Sequence, residues 1–179
     1  TPPAPTSYYG VTKLAAEQLV MAYYRDKGLP ACSARLFSVY GERERPEKLY
    51  PKLIKSILTD SEFPLYEGST EHKRSYTYVG DIVEGLARVI ERIDACVGEI
   101  FNLGTETSIT TGEGIRIIED ILGKKAQITV LPKRAGDQKE TRAIIEKAKS
   151  LLGYAPTTTA REGLEKEVLW YKHEVHGKV

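Results

Sequence analysis

The chain has 179 residues, of which 41% are hydrophobic and 28% are charged, with a formal net charge of +1. That hydrophobic content is enough for a globular core, and the balanced charge gives no reason to expect binding to nucleic acid or to an anionic membrane. No apolar run approaches the roughly 20 residues that a membrane span needs.

The two cysteines, Cys32 and Cys96, are far apart in the sequence. They form no C-x-x-C or metal-like cluster, so we expect no metal site and take a reduced, cytoplasmic setting as the default.

The first predicted element is a helix from about Ser7 to Lys27, which Gly28 ends. Within it, Tyr9 and Lys13 stand four apart, so their side chains share one face. A cation beside a phenol favours the phenolate, which can exchange a proton with an alcohol or a ketone. Tyr8 is a competing phenol, and spacing alone does not separate a catalytic pair from chance neighbours.

Helices and strands then alternate along the chain, which is typical of a parallel α/β sheet. The predicted strands are 31–37, 63–66, 74–79, 98–104 and 126–131, and the predicted helices begin near 49, 81, 110, 146 and 159. Two of these helices have a capping-box pattern, Asp81 with Glu84 and Thr110 with Glu113.

The segment Ser7-Tyr8-Tyr9-Gly10-Val11-Thr12-Lys13-Leu14-Ala15-Ala16-Glu17 resembles S-x-Y-G-x-[ST]-K-x-x-x-E. That pattern marks the active-site helix of the extended short-chain dehydrogenase/reductases, the NAD-dependent sugar-nucleotide epimerases and dehydratases. The resemblance implies a Rossmann-type α/β fold with a small α/β substrate domain. Residues 1–40 would end the dinucleotide-binding domain, and residues 41–179 would form mainly the substrate domain, with some segments returning to the first. Tyr9 and Lys13 would be catalytic and would also contact NAD.

Further matches follow in the family's order. Arg35-Leu36-Phe37-Ser38-Val39-Tyr40-Gly41 is similar to R-x-F-[NT]-x-Y-G, which implies that Phe37 lies against the nicotinamide and that Ser38 faces the sugar nucleotide. The alternative is that this segment is a strand followed by an ordinary turn, with no role in ligand binding.

The next loop, Gly41-Glu42-Arg43-Glu44-Arg45-Pro46-Glu47, resembles G-P-R-Q-R-P-D, with Glu42 and Glu44 replacing Pro and Gln. In relatives that act on UDP-glucuronate, the arginine that corresponds to Arg45 contacts the sugar carboxylate. A guanidinium can donate two parallel hydrogen bonds to such a group. A solvated loop in which Arg and Glu pair with each other is the alternative.

Two arginines match the family's diphosphate-binding positions. Arg74 begins the R-[DS]-[FY]-x-[YH]-V-x-D segment, and Arg134-Ala135-Gly136-Asp137 matches R-x-G-D. The resemblance assigns Arg74, Arg134 and Asp137 to substrate binding, whereas Asp81 is better read as a helix cap. Leu49, Leu65 and Tyr66 are assigned to the nucleotide, although packing of an edge strand explains the last two equally well.

No G-x-x-G-x-x-G or G-x-G-x-x-G motif occurs in the 179 residues. We therefore expect the chain to be the C-terminal part of a longer enzyme. Its first helix should then leave the apolar side chains of Leu14, Leu19 and Met21 without their native packing neighbours.

The resemblance predicts NAD-dependent 4-epimerisation of a UDP-sugar, of the UDP-glucose/galactose or UDP-glucuronate type, through a 4-keto intermediate. UDP-glucuronate decarboxylase and nucleotide-sugar 4,6-dehydratase are the alternatives within the family, and a catalytically silent nucleotide-sugar binding domain is the alternative outside catalysis. The expected partners are the UDP-sugar and, in the full-length protein, a second copy in a homodimer.

Overall fold

A computed structural model describes residues 3–133 and 138–178. Its helices are α1 (Tyr8–Lys27), α2 (Leu49–Leu58), α3 (Val79–Glu91), α4 (Ile93–Cys96), α5 (Thr111–Leu122), α6 (Glu146–Leu152) and α7 (Ala160–Trp170), which a π-helical segment (Tyr171–Val175) continues. Its strands are β1 (Ser33–Leu36), β2 (Val39–Tyr40), β3 (Glu62–Tyr66), β4 (Lys73–Arg74), β5 (Thr77–Tyr78), β6 (Ile100–Leu103), β7 (Ile109–Thr110), β8 (Gln127–Leu131) and β9 (Glu140–Thr141).

Most of the strand pairs in the described residues are parallel. β1 pairs with β6, β2 with β5 and β3 with β8, each in parallel. β4 lies between antiparallel β7 and parallel β9. Parallel neighbours need a long crossover, which the intervening helices supply, so the predicted α/β class is confirmed.

Local capping explains where α1 and α5 begin and end. The Ser7 side chain accepts a hydrogen bond from the Gly10 N–H at 3.1 Å, and Gly28 ends α1 at φ 67°. Thr110 and Glu113 form the predicted capping box at the start of α5. These assignments from sequence are confirmed.

Two expectations about residues 74–81 are wrong. The predicted strand 74–79 is divided between β4 and β5, which lie in different sheets. The break falls at Ser75, whose buried Oγ accepts a hydrogen bond from the Ala143 N–H at 3.1 Å. Asp81 does not cap α3, because the helix already begins at Val79 and the Asp81 carboxylate accepts hydrogen bonds from Thr158.

The buried apolar side chains form two clusters. The first joins α2, β3, α5 and α7 and contains Tyr40, Tyr50, Leu53, Ile54, Ile57, Phe63, Leu65, Ile115, Ile118, Leu164, Val168 and Tyr171. Trp170 packs against its rim, with its ring centroid 6.3 Å from that of Tyr171. The second contains Ile82, Val89, Cys96, Phe101, Leu103, Ala143, Ile145, Ala148, Leu152 and Tyr154. The domain boundary near residue 40 stays a prediction.

The expected exposure of α1 is only partly present. Leu19 is 59% exposed and Leu14 is half-buried, but Met21 is buried, so that expectation was wrong for Met21. Met21 lies one turn after buried Glu17, on the helix face that turns towards β1. No helix in the described part of the chain is both long and apolar enough to span a membrane.

Candidate active site and adjoining groove

Tyr9 and Lys13 lie together on an exposed face of α1. The Lys13 Nζ is 5.4 Å from the centroid of the Tyr9 ring, and the Tyr9 side chain is 72% exposed. Tyr8 is 95% exposed. The geometry therefore pairs Lys13 with Tyr9 and leaves that phenol accessible to a ligand.

A bidentate ion pair holds α1 against β1. The Arg35 Nε and Nη2 each donate to one oxygen of Glu17 at 2.7 Å, and Glu17 is nearly buried. The hydrogen bond from Arg35 lowers the pKa of Glu17. Because Arg35 is two residues before Phe37, this pair sets the position of the Tyr9 helix relative to the end of the strand.

The backbone turns sharply at that strand end. Phe37 still donates its N–H to the Leu103 carbonyl at 3.0 Å, whereas Ser38 adopts φ 35°. A positive φ is uncommon for a residue other than glycine and is often found at functional sites. Ser38 is held there by its carbonyl, which accepts a hydrogen bond from the Thr77 N–H at 3.2 Å. The carboxyl ends of parallel strands are where open α/β sheets bind ligands.

A groove of about 300 Å³ lies between β3, β4 and α2. Four residues that the sequence assigned to substrate binding, Leu49, Leu65, Tyr66 and Arg74, line it together. The remaining lining residues are Glu47, Lys52, Phe63, Pro64, Ser69, His72, Tyr76 and Thr111. The groove thus combines an apolar wall, suited to a base, with cationic groups suited to phosphate oxygens.

Arg74 is held by backbone carbonyls at the edge of this groove. Its Nη1 donates to the Lys73 carbonyl at 2.8 Å, and its Nη2 donates to the Gln138 carbonyl. Gln138 directly follows the R-x-G-D segment in the sequence. Arg134 and Asp137 themselves lie outside the described residues, so their assignment stays a prediction.

Arg45 is exposed and does not line the groove, whereas Glu47, on the same loop, does. Glu42 accepts a hydrogen bond from the Tyr78 hydroxyl at 2.9 Å. The loop is therefore anchored to β5 and runs past the groove.

The groove also contains Lys52, His72 and Thr111, to which the sequence motifs assigned no role. Lys52 stands three residues after Leu49 on α2, which was a usable signal. His72 and Thr111 come from distant segments joined by a backbone hydrogen bond of 3.0 Å, from the Thr111 N–H to the His72 carbonyl. No local pattern reveals such a contact.

The model of the "NAD dependent epimerase/dehydratase family" matches residues 1–104. The chain belongs to this family. Among its curated relatives, an "uncharacterized UDP-glucose epimerase YtcB" of Bacillus subtilis is 35% identical over 98% of the chain and 55% of its own length. The chain spans about half the length of the curated relatives it matches.

Solved structures of the epimerase/dehydratase family have the same fold. UDP-glucuronic acid 4-epimerase from Bacillus cereus, in complex with UDP-glucuronic acid and NAD, is 36% identical with a TM-score of 0.90, over 96% of this chain and 54% of that one. A dTDP-glucose 4,6-dehydratase from Bacillus anthracis, in complex with NAD, is 30% identical with a TM-score of 0.89, over 98% and 55% of the two chains. These likenesses bear out the resemblance that the sequence motifs indicated.

Proposed function

We propose that the protein is an NAD-dependent sugar-nucleotide epimerase that inverts C4 of a UDP-sugar. The observation that carries the proposal is the exposed Tyr9–Lys13 pair on α1, which Glu17 and Arg35 tie to the strand end at Ser38. A phenol beside an ammonium, at the ligand-binding edge of a parallel sheet, suits proton exchange with a sugar hydroxyl.

In this mechanism Tyr9 accepts the proton of the C4 hydroxyl as the sugar is oxidised and returns a proton when the 4-keto sugar is reduced from its other face. Lys13 would stabilise the phenolate and hold the nicotinamide ribose. Phe37 would lie against the nicotinamide, and Ser38 would make one hydrogen bond to the sugar. NAD, when bound, supplies the redox chemistry at C4.

The groove between β3, β4 and α2 would hold the nucleotide. Leu49, Leu65 and Tyr66 would contact the base, and Arg74 and Arg134 would bind the diphosphate. Asp137 would accept a hydrogen bond from another part of the substrate. We infer UDP-glucuronate as one candidate substrate, because Arg45 is exposed on the adjoining loop and the Bacillus cereus relative is an epimerase of that sugar. UDP-glucose and UDP-galactose are the neutral candidates.

Turnover of these three UDP-sugars by the full-length protein with NAD tests the proposal. Tyr9→Phe should lower kcat by at least ~10²-fold, the low end for a lost acid–base group, with little change in substrate affinity. Tyr8→Phe is the matched control and should retain activity. Equal rates for Tyr9→Phe and the parent would remove Tyr9 from the mechanism.

The same assay separates the alternatives. Similarity to the Bacillus anthracis dehydratase keeps 4,6-dehydration as the second candidate. NMR of the product distinguishes a C4 epimer from a 6-deoxy-4-keto sugar and from the pentose that decarboxylation would give. UDP binding without any turnover would favour the silent binding domain. Dimer formation also stays a prediction.

A further inference from the structure

Two carboxyl groups meet between the Arg45 loop and α7. Glu167, on α7, is fully buried at 0% exposure, and Glu44 reaches it from the loop. Both Glu167 oxygens, the Glu44 Oε2 and the Oε2 of neighbouring Glu42 are buried with no hydrogen bond in the part of the chain that the structure describes. A buried carboxylate without a donor carries a large desolvation cost.

The surroundings offer this pair little positive charge. The nearby Gly41 N–H favours a charged Glu167 but makes no full hydrogen bond to it, and Glu42 opposes that charge. Lys48 and Arg45 attract Glu44. The phenols around the pair are Tyr40, Tyr50 and Tyr76. No group of three His, Cys, Asp or Glu side chains in the described part of the chain is arranged to hold a metal ion.

Two adjacent buried carboxyl groups cannot both be ionised at low cost, and one proton held between them removes the repulsion. Burial raises the pKa of both Glu44 and Glu167, and the charge of Glu44 raises that of Glu167 further. A carboxylic acid can donate the hydrogen bond that the neighbouring carboxylate lacks.

The loop that Glu44 anchors runs directly to the groove. A side-chain carbon at Gly41 would lie 2.7 Å from the Val79 Cγ1, so the loop starts tightly packed. Three residues after Glu44, Glu47 lines the groove, and Leu49 begins α2 there. Arg45 stands between these two contacts.

We propose that Glu44 and Glu167 share one proton and that this acid pair positions the loop carrying Arg45 and Glu47 beside the nucleotide groove. Glu167 is thus a positioning residue that acts through Glu44. The link to ligand binding rests on the nucleotide role proposed for the groove, whereas the acid pair itself does not.

The sign of the pH effect follows from the raised pKa values. The folded state holds its shared proton above the ordinary Glu pKa of about 4.3, where the unfolded chain has released it. The contribution of the pair is therefore greatest at or below that pH and declines as pH rises through the raised pKa range of the folded state. The loop should be well ordered in mild acid and loosen in mild base.

Hydrogen exchange of residues 42–48 in the full-length protein, corrected for intrinsic rates, tests the pair between pH ~6 and ~9. Protection in the parent should fall about tenfold over this range, the equivalent of one pKa unit. Glu167→Gln keeps the shape and supplies a permanent N–H donor to Glu44, so protection should vary little with pH. Glu165→Gln, an exposed glutamate of the same helix, is the control and should behave like the parent.

Isothermal titration calorimetry with UDP measures how the acid pair affects ligand affinity at the groove. The parent and Glu165→Gln should lose UDP affinity as the loop loosens, and Glu167→Gln should not. If Glu167→Gln folds poorly, Glu44→Gln makes the equivalent replacement of an acid by an amide, on the loop residue of the pair. Loop protection in the parent that is independent of pH, or identical pH profiles for the variants at 167 and 165, would overturn the proposal. Absence of UDP binding at every pH would overturn the nucleotide role of the groove, while the exchange data would still decide on the acid pair.

Discussion

At the scale of single residues, conformation and exposure mark the candidate site. Ser38 is held at φ 35° at the end of β1, and Tyr9 and Lys13 contact each other on an open helix face. Arg74, in contrast, is held in place by two backbone carbonyls. The proposed function assigns chemistry to the first three residues, and the held guanidinium suits the binding role proposed for the fourth.

Arg45 is predicted to select for an acidic sugar. Arg45→Ala should lower kcat/KM for UDP-glucuronate by roughly 10- to 150-fold, the equivalent of about 1.5–3 kcal/mol for a hydrogen bond to a charged group, and should affect UDP-glucose far less. Steady-state kinetics on both sugars measure the difference. Arg43→Asn is the matched control, because Arg43 is exposed at φ 65° and Asn tolerates that conformation. An equal effect on the acidic and neutral sugars would remove the preference for the uronate.

Arg74 is predicted to bind the diphosphate. Replacement by Ala should weaken UDP binding by roughly 1.5–3 kcal/mol, because two charge-assisted hydrogen bonds to phosphate oxygens would be lost. Calorimetry of the full-length protein measures this change. Lys73→Ala removes an exposed cation one residue away and should leave the affinity unchanged. UDP affinity equal to that of the parent in Arg74→Ala would refute the assignment.

At the scale of secondary-structure elements, the contact between α1 and β1 determines how the Tyr9 helix is oriented relative to the strand. Glu17 and Arg35 are 18 residues apart in the sequence, yet the two hydrogen bonds between them orient the helix that carries Tyr9. Both residues belong to the motifs that indicated the family. The structure gives these two motif positions a positioning role.

Glu17→Gln is predicted to lower the free energy of unfolding by about 1–2 kcal/mol near neutral pH, because one charge-assisted hydrogen bond is lost and Arg35 is partly exposed. The pKa of Glu17 is lowered by Arg35, so the contribution is present above the ordinary carboxyl pKa and is lost as pH falls through the lowered value. Denaturant unfolding at pH ~7 and ~3 should therefore show a smaller difference between variant and parent in acid. Glu91→Gln, an exposed glutamate on α3, should cost little at either pH. A pH-independent difference would contradict the ion-pair explanation.

Sequence patterns predicted the elements whose signals are local. Ser7, Gly28 and the Thr110–Glu113 box placed the ends of α1 and α5 because caps act within one turn. Asp81 had an equally good capping pattern, but its carboxylate is used by Thr158, 77 residues away. In the groove, the family resemblance had selected Arg74 and Leu65, which line it. His72 lines it beside Thr111, 39 residues away in the sequence, and the two are joined by a hydrogen bond that no local pattern predicts.

At the scale of the whole molecule, the chain spans about half the length of the curated relatives it matches. The 179 residues include Tyr9, Lys13 and the groove but no glycine-rich dinucleotide motif. The glycine-rich first βα turn is what cradles the pyrophosphate of a bound dinucleotide.

A polypeptide restricted to these 179 residues is therefore predicted not to bind NAD and not to epimerise any sugar. We expect weak UDP binding to remain, through Arg74 and Arg134. Thermal-shift and fluorescence titrations with NAD, run beside the full-length protein, measure this. A clear NAD response from the 179-residue polypeptide would show that the cofactor site is complete without that turn.

Trp170 is the single tryptophan in the sequence, and it packs on the rim of the first apolar cluster, beside Tyr171. Indole emission shifts to longer wavelength when the ring enters water, so within these residues the signal reports the docking of α7. The chain thus has an intrinsic fluorophore at the helix that packs into the first apolar cluster. Stopped-flow fluorescence can follow the assembly of that cluster without an attached dye.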